Sequence, residues 1–228
     1  FIEGSSMDCS NKGITHIEYI PDGIKRLYCY NNKLTELPKL PDGLIRLYCH
    51  SNRLTELPKL PNSLTYLDCY NNELTELPKL PESLEYLDCG NNQLTELPKL
   101  PESLISLYCY KNELIKLPKL PESLTNLYCN NNQLTELPTL NENLEELYCG
   151  DNELTFLPSL NKSNACSCSS DNDIFYLLIT IVYNNQFSII ISFTSAFTKI
   201  VPPELSITES IDLAISEDPP TGKLPPLK

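Results

Sequence analysis

Apolar residues recur along this chain with a period of 20 residues, from about Met7 to Leu160, and no insertion interrupts the period. One unit, read from Leu64, is Leu-x-x-Leu-x-Cys-x-x-Asn-x-Leu-Thr-Glu-Leu-Pro-Lys-Leu-Pro. The second Leu and the Cys are two residues apart, which places both side chains on one face of a β-strand. The period therefore predicts eight parallel strands in one sheet, centred near Cys9 and then at each repeat to Cys149.

An Asn follows each Cys of the later units by three residues, where the chain must turn out of the strand. These residues form an Asn column, which contains Asn32, Asn52, Asn72, Asn92, Asn112, Asn132 and Asn152. Because an Asn side chain can hydrogen-bond backbone groups of its own turn and of the neighbouring coil, we expect this column to satisfy otherwise buried amides. The two prolines of each return segment block a regular helix and favour extended or polyproline II geometry. We therefore expect little or no α-helix on the convex side.

The period divides the chain into segments. Residues 1–160 are predicted to form a solenoid of eight coils, and residues 161–173 read as a polar insertion. Residues 174–200 are apolar, whereas residues 201–228 are rich in Pro and acid and read as a loose tail.

Three interpretations of residues 174–200 compete. As a degenerate capping coil, the segment covers the end of the core and places Val182 beside Cys149. As a separate β-hairpin, it turns at the amide run 184–186. As a membrane anchor, residues 174–197 cross a bilayer, although three central amides are costly in lipid.

The net charge of the chain limits the class of macromolecule that it is expected to bind. The chain has a formal net charge of −13, and its solenoid carries 13 basic against 23 acidic residues. A phosphate backbone needs a basic stripe, so nucleic acid is not the expected partner.

The spacing of the ten cysteines indicates their role. Eight follow the period and point into the core, where a thiol packs as a small hydrophobe, so we predict neither a metal site nor a cofactor. Stacked thiols cross-link under oxidising conditions, which favours a reducing, cytoplasmic location. Cys166 and Cys168 lie in the polar segment and read as ordinary loop cysteines, with metal binding or acylation as alternatives.

The motif L-x-x-L-x-C-x-x-N-x-L, with its 20-residue length and L-P-x-L-P return, resembles the bacterial-type leucine-rich repeat of the YopM and IpaH effector group. The resemblance implies a right-handed superhelix, α/β by class but here mostly β with an extended return side, whose concave parallel sheet recognises proteins. It also implies that the repeats are sometimes attached to an enzyme domain.

No catalytic residue is predicted. The ligase domain of the IpaH group has a C-x-D motif, which Cys149-Gly150-Asp151 matches. However, Cys149 belongs to the core column, and the segment 161–228 is too short for that domain. The chain has no glycine-rich phosphate loop and no H-E-x-x-H motif. We therefore expect a protein without enzymatic activity.

Variable positions on the open face of the strands form the candidate binding site. Their predicted partner-binding members are Tyr28, Tyr30, Tyr48, His50, Tyr66, Asp68, Tyr70, Tyr86, Asp88, Tyr108, Tyr110, Tyr128 and Tyr148. Tyrosine offers a large apolar body with a polar tip, which suits a binding surface. The alternative is that these rings stack on one another for stability alone.

The sequence thus predicts a cytoplasmic protein–protein interaction module that binds another protein on a tyrosine-rich concave face. The resemblance adds an effector-like role and delivery to a host cytoplasm as hypotheses. The alternative function is a structural or membrane-tethered display protein that residues 174–197 anchor.

Overall fold

The computed structural model of this chain describes residues 2–155 and, by their backbone, three later strands. All described strands belong to one sheet, in which their order follows the chain. The described strands are β1 (Ile2–Glu3), β2 (Ser6–Asp8), β3 (Arg26–Tyr28), β4 (Arg46–Tyr48), β5 (Tyr66–Asp68), β6 (Tyr86–Asp88), β7 (Ser106–Tyr108), β8 (Asn126–Tyr128), β9 (Glu146–Tyr148), β10 (Ala165–Cys168), β11 (Tyr176–Ile179) and β12 (Ile190–Ser192).

Strands β2 to β9 are the eight predicted parallel strands. Each pairs with the next in the register of the repeat, as Leu27 does with Leu47. The strands are centred on the Leu position rather than on the Cys that was expected. The amide of Cys29 still donates to the carbonyl of Tyr48 in the next coil at 2.9 Å, so the hydrogen bonding continues past the strand. Asn31, with φ of 52°, then turns the chain away.

A short antiparallel strand precedes the solenoid and was not predicted. Strand β1 pairs with β2, with Ile2 opposite Met7. Gly4 lies in the connecting turn with φ of 57°, a conformation that glycine adopts without strain.

The strand that follows β9 comes from an unexpected segment. Strand β10 (Ala165–Cys168) pairs with β9 in parallel. The segment expected as a polar insertion, residues 161–173, therefore contains a strand. A strict period would place Ser167 opposite Leu147, whereas the observed partner of Leu147 is Cys166. This coil is therefore shorter than the repeat by a single position.

The placement predicted for Val182 beside Cys149 is consequently wrong, because β10 occupies that edge of β9. Strand β11 pairs with β10, and β12 with β11, both antiparallel. The connection between β11 and β12 includes the amide run 184–186, which lies outside the described residues, as does the predicted tail 201–228.

The described residues contain no helix, which agrees with the extended return side expected from the prolines. Consequently, this part of the chain offers no helical segment of the length and hydropathy that a membrane span requires.

The core consists of stacked columns of Leu and Cys. In the sixth coil, for example, Leu104, Leu107, Cys109 and Leu114 are fully buried. Burying one Leu side chain stabilises a fold by roughly 2 kcal/mol, so the repeated columns supply most of the driving force. Eight cysteines of the described range, Cys9 to Cys149, are buried, reduced thiols, which confirms that the column points inward. Burial raises the pKa of Cys29 well above that of an exposed thiol.

The Asn column connects neighbouring coils as predicted. Asn92 donates from Nδ2 to the carbonyls of Cys69 and Cys89, both at 3.1 Å, and its Oδ1 accepts from the amide of Leu74 at 3.0 Å. One side chain therefore satisfies backbone groups of two coils, which stabilises the turn that ends each strand.

Candidate binding surface on the open face of the sheet

Outward-facing side chains of the strands form three columns. The leading column precedes the core Leu and contains Arg26, Arg46, Tyr66, Tyr86, Ser106, Asn126 and Glu146. The central column lies between Leu and Cys and contains Tyr28, Tyr48, Asp68, Asp88, Tyr108, Tyr128 and Tyr148. The trailing column follows Cys and contains Tyr30, His50, Tyr70, Gly90, Tyr110, Asn130 and Gly150. The central side chains are half-buried, whereas the Leu and Cys between the columns are buried, which is the alternation of a strand with one open face.

Seven tyrosine rings form a continuous row along this face, which we call the tyrosine row. Successive ring centroids are 4.2 to 5.4 Å apart, within the range of favourable aromatic contacts. Its members in order are Tyr28, Tyr48, Tyr66, Tyr86, Tyr108, Tyr128 and Tyr148. The row therefore spans all coils from β3 to β9.

The tyrosine row changes column where two acidic residues interrupt the central column. Tyr48 contacts Tyr66 of the leading column at 4.8 Å, and Tyr86 contacts Tyr108 of the central column at 5.4 Å. Between these crossings Tyr66 and Tyr86 stack at 4.2 Å with nearly parallel planes. The crossings keep the aromatic surface continuous although the central column is not.

The trailing column contains two aromatic contacts, of which the second depends on a glycine. The rings of Tyr30 and His50 stack at 4.6 Å. Tyr110 contacts Tyr70, two coils away, at 5.8 Å, because its ring lies over Gly90. A Cβ at Gly90 would approach Cε1 of Tyr110 to 2.8 Å, so any side chain there displaces that ring.

Asp68 and Asp88 are partly desolvated carboxylates. They are register partners on β5 and β6, and the Oδ1 atoms accept hydrogen bonds from the amides of Tyr70 at 3.3 Å and Gly90 at 3.0 Å. Burial is the main cause that raises the pKa of Asp68 to about 6 and that of Asp88 to about 7. The hydrogen bonds from the two amides lower both pKa values, but by less than burial raises them. Both carboxyl groups therefore titrate nearer to neutrality than an exposed Asp.

Two basic side chains of the preceding coil, His50 and Arg46, do not neutralise this pair. Nε2 of His50 is 3.9 Å from Oδ2 of Asp68, but burial lowers the pKa of His50, so the ring is neutral at neutral pH. The guanidinium carbon of Arg46 lies 5.8 Å from the centroid of the Tyr66 ring, a cation–π distance. Within residues 2–155, no Lys or Arg forms an ion pair with either Asp.

The two ends of the open face differ in charge. Arg26 and Arg46 lie at the N-terminal end, whereas Glu146 lies at the C-terminal end and accepts a hydrogen bond from the Tyr128 hydroxyl at 2.6 Å. The predicted binding set does not include Glu146, although this residue lies on the open face. Its place in the leading column, in register with Asn126, is the feature that identifies Glu146 as a further candidate.

All thirteen predicted binding residues lie on this face. The eleven aromatic members all make ring contacts, and the two acidic members lie between them. Their role in binding stays a prediction, because the same contacts also stabilise the sheet. The described part of the chain contains no group of three His, Cys, Asp or Glu residues arranged to hold a metal ion.

The comparisons with known proteins agree with this architecture. A family model described as leucine-rich repeats in two copies matches residues 62–102. The solved structure of YopM, a leucine-rich effector protein from Yersinia pestis, is 36% identical, has a TM-score of 0.63 and covers 72% of this chain. This chain is a bacterial-type leucine-rich repeat protein.

Two further solved structures resemble this leucine-rich repeat protein. YopM from Yersinia enterocolitica WA-314 is 35% identical with a TM-score of 0.58, and the match covers 68% of this chain. The leucine-rich repeat domain of a Shigella effector is 31% identical with a TM-score of 0.49; the match covers 72% of this chain and 67% of that one. This chain spans 54% of the Yersinia pestis protein and 39% of the Yersinia enterocolitica protein. A comparison with curated protein sequences gives no match.

Proposed function

We propose that this leucine-rich repeat protein is a protein-interaction module that binds a partner protein on the tyrosine row. The observation that carries the proposal is the row itself, an unbroken aromatic strip on a partly exposed sheet face. Contiguous aromatic surface of this kind is uncommon on proteins that bind nothing, and tyrosine is enriched in the residues that dominate binding energy.

The row is also preorganised for binding. Each ring is held by neighbouring rings, so little side-chain entropy is lost when a partner covers it. Stacking and binding are therefore compatible roles of the same rings, and the concave faces of solenoid proteins provide extended binding surfaces.

The proposed location is a reducing, cytoplasmic compartment, because the eight buried thiols stack in one column. An effector-like role, with action in a host cytoplasm, follows as a proposal from the likeness to YopM, which is itself an effector protein.

The role proposed is binding without catalysis. The thiols within residues 2–155 are buried, and buried thiols are poor nucleophiles. Oγ of Ser51 lies 3.2 Å from Nδ1 of His50, but Nε2 of that ring is 3.9 Å from Asp68, which is too long for a hydrogen bond. These three residues therefore lack the oriented base of a catalytic triad.

The test is a pull-down with the whole chain as bait. Tyr108→Ser with Tyr128→Ser removes the rings at the centre of the C-terminal half of the row. The matched control is Tyr19→Ser, because Tyr19 is 65% exposed and lies in the first return segment, away from the row. We expect the double variant to lose captured partner at least about tenfold per folded molecule. Equal capture by the double variant and the control would contradict the proposal.

A further inference from the structure

The carboxylates of Asp68 and Asp88 lie directly opposite each other in the middle of the open face. Their Cα atoms are register partners on neighbouring strands, which places the two residues about 4.8 Å apart. Like charges in that arrangement destabilise a sheet. The pair is therefore unfavourable for folding, and packing alone does not account for it.

Aromatic rings surround the pair on every side along the sheet. Tyr48 and Tyr108 are the register partners of Asp68 and Asp88 on the outer strands. On the leading side Tyr66 and Tyr86 stack at 4.2 Å, and on the trailing side the ring of Tyr110 lies over Gly90. The rings restrict solvent around the carboxylates, which are partly desolvated.

Within residues 2–155, the pair also lacks a positively charged ion-pair partner. In residues 2–155 the only ion-pair neighbour of either carboxylate is His50, which the low pKa leaves neutral at neutral pH. Arg46 lies over the Tyr66 ring instead, which shows that a guanidinium fits against the rings of this face. Asp68 is 17% exposed in its side chain, so a group from outside can reach it.

We propose that the open face receives an arginine or lysine side chain of the partner protein at Asp68 and Asp88. This inference rests on the proposed function and names the chemistry of its partner. Charge complementarity carries it: the pair offers two carboxylates for charge-assisted hydrogen bonds, and the neighbouring rings offer cation–π contacts. A cation from the partner removes the repulsion between the carboxylates, which remains in the free protein.

The probe is a hexa-arginine peptide, with a hexa-citrulline peptide as its neutral counterpart. Binding to the whole chain is measured by calorimetry at pH 8, where both carboxylates are ionised. Asp68→Asn with Asp88→Asn removes both charges but retains an oxygen that accepts from the amides of Tyr70 and Gly90. The matched control is Glu76→Gln with Glu96→Gln, which removes two exposed charges from the same two coils.

We expect hexa-arginine to bind and hexa-citrulline to bind at least about tenfold more weakly. The Asp68 and Asp88 double variant should lose at least about tenfold in affinity for hexa-arginine, and the Glu76 and Glu96 control less than about twofold. The amide resonances of Tyr70 and Gly90 should shift on binding, because these amides donate to the two carboxylates. Melting curves of both variants establish that each is folded during the measurement.

Equal losses in the two double variants would show attraction to the net charge of −13 alone and would overturn the inference. Equal affinity for hexa-citrulline, or amide shifts that leave out Tyr70 and Gly90, would overturn it as well. Each of these failures leaves the proposed function standing if the pull-down still depends on Tyr108 and Tyr128. Loss of that dependence would instead overturn the proposed function.

Discussion

Removal of the charges at Asp68 and Asp88 should stabilise the protein at pH 8. Both carboxyl groups have pKa values raised by burial, to about 6 and about 7 from 3.8 in an exposed Asp. The folded state therefore binds more protons than the unfolded state between about pH 4 and pH 7. Because stability falls with rising pH wherever the folded state binds more protons, the ionised pair reduces stability above that window.

The magnitude follows from the two pKa values. One pKa unit corresponds to about 1.4 kcal/mol, so the displacements amount to roughly 3 kcal/mol for Asp68 and roughly 4 kcal/mol for Asp88. Both groups are partly exposed, and solvent at the open face screens their interactions. After this reduction, we expect Asp68→Asn with Asp88→Asn to raise the free energy of unfolding by about 2 to 4 kcal/mol at pH 8.

Urea unfolding monitored by far-UV circular dichroism measures the effect at pH 8 and pH 5.5. The gain should shrink to roughly half at pH 5.5, where the folded wild-type protein has bound a proton at Asp88 and most of one at Asp68. The groups that face the pair are His50 and the surrounding tyrosines, of which His50 alone ionises near this window. Glu76→Gln with Glu96→Gln controls for net charge. A double Asn variant that is no more stable than this control at pH 8 would refute the reasoning.

Three further predictions concern the core, the turns and the trailing column. Cys69 in the native protein should resist iodoacetamide until unfolding, because it is fully buried; mass spectrometry that finds fast native labelling would contradict this. Asn92→Ala should lower the free energy of unfolding by about 3 kcal/mol, since it leaves buried carbonyls and an amide without partners, whereas Gln93→Ala should change it little. Gly90→Ala should move the Tyr110 ring, which ring-proton chemical shifts detect; unchanged shifts would show that the backbone yields instead.

The solenoid was predictable because its columns follow from a strict period and from the alternation of side chains along a strand. The two-residue spacing within one repeat accounts for the burial of Leu107 and Cys109. The place of the Asn at the end of the strand accounts for the hydrogen bonds of Asn92 to two coils. The next strand, Ala165–Cys168, was missed because its coil is shorter than the repeat and Cys166 stands where a Leu is expected. A fixed period does not detect a coil of a different length.

The residues of the open face could be predicted from the sequence, but the contacts between their side chains could not. Sequence columns indicate that Tyr86 and Tyr108 face the same side, yet not that their rings meet across two columns. The contact of Tyr110 with Tyr70 depends on the missing side chain at Gly90, a relation between three coils. The desolvation of the Asp pair likewise arises from rings on neighbouring strands, which no single repeat contains.

The central claim is that a partner covers the tyrosine row. Photo-crosslinking tests it most directly, with p-benzoylphenylalanine placed either at Tyr108 in the row or at Tyr19 in the first return segment. The account predicts that the captured partner becomes crosslinked from position 108 and not from position 19. Crosslinking from position 19 with none from position 108 would contradict it.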